Sequence, residues 1–188
     1  MENILDYNVD ARQNKNVVYA TFWTRVAATL LDVLVMLIIL PVSIYNLLEW
    51  KSITVLMLTT GIGLAYKPFL EYKYGATFGK MAMKIVVTNY EFQKPNLQEI
   101  ILRNIIHITS GLIDFVLASF VFSSSEFQDI TTYQDYTSFI ASRSNMLNIV
   151  VGLVILGDVL FMFADDQNRT LHDKIGKTLV IKRDTGQG

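Results

Sequence analysis

Three aspartates stand inside long apolar stretches of this 188-residue sequence, and chemistry would reside there if anywhere. Asp32, Asp114 and Asp158 each lie among Leu, Ile, Val and Phe. An ionisable group inside a membrane span costs about 2.5–3.5 kcal/mol on insertion scales, so it needs a partner or a wet cavity and is by default a functional candidate. Helical spacing offers partners on shared faces. Arg25, Thr29 and Asp32 follow i, i+4, i+7, and Arg103, His107, Ser110 and Asp114 line up over three turns. Thr60, Gly63 and Lys67 form a third stripe, and Asn148, Ile155, Asp158 and Asp165 roughly form a fourth, so four polar stripes are expected to converge inside a bundle. At about 1.5 Å per residue, Asp32 lies about 15 Å into its segment, near the middle of a bilayer. Asp114 is similarly deep, and Asp158 is nearer one end. Desolvation and a neighbouring arginine pull a carboxylate's proton affinity in opposite directions, so such a group can be poised for exchange. Three uses stay open: exchange of a cation against a proton, docking of a partner, or fixing of helix packing. His107, one turn from an arginine, reads as a hydrogen-bonded packing residue rather than a metal ligand.

These residues must be positioned by apolar helices. The chain is 52% hydrophobic and 18% charged, with a mean hydropathy of +0.36; soluble domains carry roughly 25% charged residues. Four blocks, at about 22–48, 53–70, 100–122 and 146–164, meet the requirement of about 17–25 residues per span. Lys67 and Pro68 mark the end of the second. Arg12, Lys15 and Arg25, then Lys67, Lys73, Lys80, Lys84, Lys94 and Arg103, then Arg169, Lys174, Lys177, Lys182 and Arg183 fall on one side; Lys51 and Arg143 are the exceptions. The positive-inside rule therefore places both termini and the middle loop in the cytoplasm, and the acidic loop 123–145 outside. Trp23, Tyr45, Trp50 and Tyr66 sit near span ends as an aromatic belt. The expected fold is an all-α membrane protein of four transmembrane helices. It would have a cytoplasmic segment 1–18, a transmembrane domain 19–183 and a tail 184–188.

The middle loop and the C-terminal region resemble each other. Thr77-Phe78-Gly79-Lys80 followed by Lys84–Val87 parallels Thr170-Leu171-His172-Asp173-Lys174 followed by Lys177–Ile181, if one residue is skipped. Two parallel halves are implied, each a helical hairpin plus a short cytoplasmic extended segment. The stretch from Gly75 to Lys80 imitates a phosphate loop but is one residue short between its glycines, and Met81 replaces the hydroxyl that would hold magnesium. A capping or headgroup-binding role suits it better, with Lys73, Lys80, Lys84, Lys174 and Lys177 as candidate contacts to anionic lipid. Asn168-Arg169-Thr170 is a formal glycosylation sequon on the cytoplasmic side. The sequence has no cysteine, so thiolate sites and disulfides are excluded. No catalytic constellation or paired metal ligands occur at a useful spacing, so no enzyme, metal or cofactor is expected.

Three segments together resemble the RDD family of bacterial membrane proteins. They are Tyr19–Asp32, with Arg25 at a helix start and Asp32 in its interior; Glu71 with Gly75, Thr77, Gly79 and Lys80; and Arg169–Lys174 with His172 and Asp173. Asp173 matches the second aspartate for which the family is named, and Arg103 a recurrent arginine. Asp114, Asp158 and the loop 123–145 match no family pattern. The resemblance implies a multi-pass protein of the bacterial inner membrane that transports a small ligand or an ion, cation/proton antiport being one activity proposed within the family. Asp32 would be the exchanging carboxylate tuned by Arg25, with Asp114 and Asp158 as relay or second-site residues and Arg103 and His107 as further candidates for ion coupling. Monovalent cations and protons would be its ligands, and a homo-oligomer is expected because four helices are few for alternating access. The alternative is a non-catalytic scaffold or assembly subunit that binds a partner membrane protein. No nucleic-acid partner is expected. His172 and Asp173 are expected to brace the cytoplasmic mouth beneath Arg25, with Arg25 and Asp173 within about 10 Å if ion-pair coupling operates.

Overall fold

A computed structural model describes residues 17–141 and 145–183, with the side chains of 145–148, 151 and 155 left aside. Arg12, Lys15, Arg143, the tail 184–188 and most of the segment 1–18 lie outside the described residues, as do the side chains of Asn148 and Ile155 from the fourth stripe. Thr21 opens α1, Phe22–Met36, its hydroxyl accepting from the Thr24 amide. The apolar run then breaks at residues 37–39 instead of continuing to 48. It resumes as α2, Leu40–Tyr45, with Pro41 in its first turn, where a missing N–H costs nothing, and ends as a π-helical turn, Asn46–Trp50.

Helix α3, Ile53–Tyr74, runs through Lys67 and Pro68, which the sequence reading took as its end. Spanning helices tolerate an interior proline when neighbours satisfy the freed carbonyl. The true stop is Gly75, at φ 71°, a left-handed position that glycine adopts without penalty. Thr77 caps the short α4, Phe78–Ala82, which leads into β1, Ile85–Asn89. Asn96 and Glu99 form a reciprocal capping box at the start of α5, Leu97–Arg103. Asn104 (φ −94°, ψ 8°) separates α5 from α6, Ile105–Phe122, so the expected third span is two helices. The loop expected outside is also helical, as α7, Ser125–Gln128, and α8, Tyr133–Ala141. Helix α9, Asn145–Leu160, ends in a 3₁₀ turn, Phe161–Ala164. A second capping box, Thr170 with Asp173, starts α10, Leu171–Ile175, and β2, Thr178–Lys182, follows.

Among the described residues, α3 and α6 are long and apolar enough to cross a bilayer, and α1 with α2 makes a third span if the bent pair counts as one. The apolar stretch Gly152–Ala164 is shorter. Leu34, Leu58, Ile62 and Leu112 are exposed along these helices, as lipid-facing residues must be.

The extended segments pair with each other: β1 and β2 are antiparallel, with Val87 opposite Val180. Tyr19 bridges to Ile181 on the other edge of β2. The sequence repeat becomes exact here without the skipped residue. Thr77 and Thr170 cap five-residue helices, Lys84 and Lys177 are left-handed at φ 54° and 51°, and five-residue strands follow. Lys80 therefore corresponds to Asp173, not to Lys174. Because the counterparts Val87 and Val180 face each other, the two copies pair as if related by a two-fold axis.

The chain divides into two compact units. One comprises the described residues up to Val35 together with Tyr66–Ile106 and those from Asp158 onward; the other comprises Met36–Ala65 and His107–Gly157. The first unit has a small apolar core of Ala20, Ala28, Ile85, Val87 and Val180. The second is centred on Phe122, Phe127 and Ile130, with the Phe122 and Phe127 rings 4.7 Å apart.

Candidate functional site

Five side chains of alternating charge form a line through the first unit. From α1, Arg25 Nη1 donates to Asp173 Oδ2 at 2.6 Å, and its Nη2 donates to the Asn168 carbonyl at 2.9 Å. Asp173 also accepts from Arg103 and, at 3.0 Å, from the Thr170 amide. Arg103 in turn donates to Glu71 at 3.2 Å and to the Thr178 hydroxyl at 2.8 Å. Glu71 closes the line on Lys80 and accepts from Asn104 Nδ2 at 3.0 Å. Glu71 and Asp173 are fully buried and Arg103 nearly so. Ions at that depth persist only when paired and hydrogen-bonded, as these are.

The local folding explains how they meet. Running α3 past Pro68 carries Glu71 to the helix end, and the break at Asn104 frees Arg103 from the face of α6. Gly176 gives Arg103 its seat, since a Cβ there would stand 2.6 Å from Arg103 Cβ. The repeat supplies opposite charges at one position, Lys80 in one copy and Asp173 in the other.

Asp32 does not pair with Arg25. It accepts from the Tyr66 hydroxyl at 2.7 Å, the Thr77 hydroxyl at 2.6 Å and the Gly79 amide at 2.7 Å. Gly79 is required by this approach, because a Cβ there would lie 1.9 Å from the Ala28 carbonyl oxygen. Asp158 treats the second copy alike, accepting from the His172 amide at 2.8 Å and meeting His172 Nδ1 at 2.6 Å. Gly79 and His172 hold the same place in the repeat, so each short helix offers the same amide to a carboxylate. Asp165 gathers Arg169, at 2.9 Å, and Lys174, at 2.8 Å. Thr29 turns back to its own helix at the Arg25 carbonyl.

Burial pushes Lys80 down to about 8, with the Glu71 carboxylate opposing. Burial works against the charge of Asp173 too, but Arg103 and Arg25 hold it well below the usual carboxylate range. Burial likewise opposes ionisation of Arg103, and Asp173 and Glu71 outweigh it, binding its proton more firmly than usual. Burial lowers His172, with Asp158 opposing. Among the described residues no three His, Cys, Asp or Glu gather where a metal could be held.

The proposed stripe from Arg103 through Asp114 is split. Arg103 belongs to the first unit, whereas His107 and Asp114 belong to the second. His107 is half-buried, its carbonyl accepting from Ser110. Asp114 is exposed on α6 and has no hydrogen bond or ion pair among the described residues. The second unit also has an open cavity of about 290 Å³ lined by Ser43, Asn46, Thr59, Thr60 and Tyr136 with apolar neighbours. Asn46 is buried and exchanges two hydrogen bonds with the Ser52 backbone, at 3.1 and 3.0 Å.

Sequence reasoning missed Tyr66, Asn104, Thr170 and Thr178 as members of the site. Tyr66 was read as belt, and no spacing rule joins it to Asp32. Thr170 carried a readable signal, a threonine three residues before an acid at a helix start.

Apolar helices with outward apolar faces, joined to a buried ion-pair line, define a membrane protein. The sequence model of the RDD family matches residues 19–177, and the chain belongs to that family. No curated protein and no solved structure matches it.

Proposed function

We propose that this RDD-family protein transports a small polar ligand or a monovalent cation through its second unit and performs no catalysis. In this reading it has four spans, with both termini cytoplasmic, in a bacterial inner membrane. The distribution of lysine and arginine supports that orientation. The observation that carries the transport reading is the hydroxyl- and amide-lined cavity of about 290 Å³. Three of its residues, Ser43, Asn46 and Leu47, follow the interruption at 37–39. Transporters build midplane sites from such discontinuous helices, whose unwound backbone lends oxygens to the ligand. The carboxylates of the first unit serve as a lock, because Asp32, Glu71 and Asp173 are each engaged by at least three protein donors.

The test is dissipation of a pH gradient in proteoliposomes on adding sodium, lithium or potassium, with uptake of small neutral solutes as the second arm. The expected outcome is a response reduced by Thr60→Val and retained by Asp32→Asn in whatever protein folds. Silence in both arms would remove the transport reading. Loss in Asp32→Asn with an unaffected Thr60→Val would return exchange to the first unit.

A second reading, as a scaffold, is favoured by Asp114. A lone carboxylate on the outer face of a spanning helix calls for a hydrogen-bond donor from a neighbouring helix, in a second copy or another membrane protein. Co-purification of a stoichiometric partner, lost in Asp114→Leu, would support this reading; a monomer without a partner would exclude it.

A further inference from the structure

We propose that the first unit carries a binding site for a phosphate-ester headgroup, between the end of α3 and the outer edge of β1. A cavity of about 210 Å³ lies there, sharing no lining residue with the cavity of the second unit. Its lining includes the cations Lys84, Lys94 and Arg183 and, among the described residues, no acidic one. Among the described residues none of the three cations is in an ion pair. Lys94 is placed by the Lys73 carbonyl, at 3.3 Å, and by the face of Tyr72, while the Arg183 amide donates to the Lys84 carbonyl at 2.7 Å, holding those two residues side by side.

The floor supplies the second half of the argument. Met81 and Val86 make it apolar, and Thr88 contributes a hydroxyl that is buried without any hydrogen-bond partner. Val86 and Thr88 are two residues apart on a strand, so both side chains point to one face. A buried unmet hydroxyl is costly, and an oxygen of a bound ligand would satisfy it. The cavity is smaller than drug-sized sites of about 300–1,000 Å³, which limits the occupant to headgroup dimensions. Three cations over an apolar floor with one waiting donor match a phosphate ester carrying a short carbon body. Two sources present that chemistry, an anionic phospholipid and a soluble phosphate monoester.

The repeat provides a matched control. Lys84 and Lys177 occupy the same left-handed position in the two copies, and only Lys84 lines the cavity. Asparagine tolerates that backbone, so Lys84→Asn and Lys177→Asn remove equal charge with little strain. Full-length protein would be titrated in phosphatidylcholine nanodiscs with glycerol 3-phosphate by calorimetry. In parallel, native mass spectrometry would count retained phosphatidylglycerol from mixed nanodiscs. Saturable one-to-one binding in either arm is expected, the responding arm naming the source. Affinity should fall about tenfold in Lys84→Asn, as for loss of a charge-assisted hydrogen bond, and by a smaller factor in Thr88→Val, with Lys177→Asn unchanged. No saturable binding in either arm, or equal loss in the two asparagine variants, would overturn the proposal. So would a Thr88→Val protein that melts like the wild type and binds with undiminished affinity.

Discussion

In the first unit, Arg25, Asp173, Arg103, Glu71 and Lys80 alternate in sign along one buried line, whereas the second unit lines an open cavity with hydroxyls, a single amide and apolar side chains, and leaves Asp114 exposed. The contrast separates two ways of keeping polar groups in an apolar protein. Paired charges fix neighbours rigidly, because removing any one strands the next without compensation. Neutral hydroxyls that bond their own helix, as Thr59 does with the Val55 carbonyl at 2.9 Å, are cheap to rearrange and can turn towards a passing ligand.

The sharpest break of this comparison is Arg103→Met. It leaves Glu71 and Asp173 facing one cation less, and a loss of about 3–5 kcal/mol is expected, seen as a collapse of the melting temperature and folded yield in detergent. A mild shift would mean that the line is not the fastening of the unit. Next comes Gly79→Ala, whose Cβ cannot fit beside Ala28 and Asp32. Thermal melting should register about 1–3 kcal/mol for the forced displacement of α4.

A pH series tests the unit differently. Burial lowers His172 in the folded protein, so below the unfolded value of about 6.5 the unfolded chain binds the extra proton and stability falls as pH falls. The expected slope approaches at most about 1.4 kcal/mol per pH unit from this one group, and the His172→Gln melting profile should lose that component. Smallest is Thr59→Val in the second unit, expected to cost about 0.5–1.5 kcal/mol in the same assay, since one neutral hydrogen bond is involved. A Thr59→Val penalty equal to that of Arg103→Met would erase the distinction between the units.

Much of this arrangement could be read from residue types, and the missing parts have physical causes. Apolar length located α3 and α6, and the Thr/Gly/Lys and Thr/His/Asp segments pointed to Lys80, His172 and Asp173. Helical spacing failed where a helix is not continuous, at residues 37–39 and at Asn104, because a face argument carries across a break without warning. Pro68 was over-read as a stop, while Gly75, which needs its left-handed backbone, was the real one. Asp32 was assigned to Arg25 by proximity along one helix, but its three donors come from α3, from Thr77 and from α4, and no local rule reaches that far. The repeat was visible, yet the similarity of Lys80 and Lys174 pulled it one residue out of register; strand pairing and the caps restored it.

The Arg25–Asp173 pair joins residues 148 apart in sequence, which sets an order of events during synthesis. The first helix is made early and carries its guanidinium into the assembling protein before its carboxylate exists. Chains fold as they emerge, N-terminal parts first. Asp173 and the strand that zips onto β1 come 148 residues and more after Arg25, so the first unit can close only once β2 has been made. A nascent chain stalled before Thr170 would hold Arg25 without its carboxylate and Arg103 with one carboxylate of two, leaving the unit open to proteolysis until Asp173 is supplied.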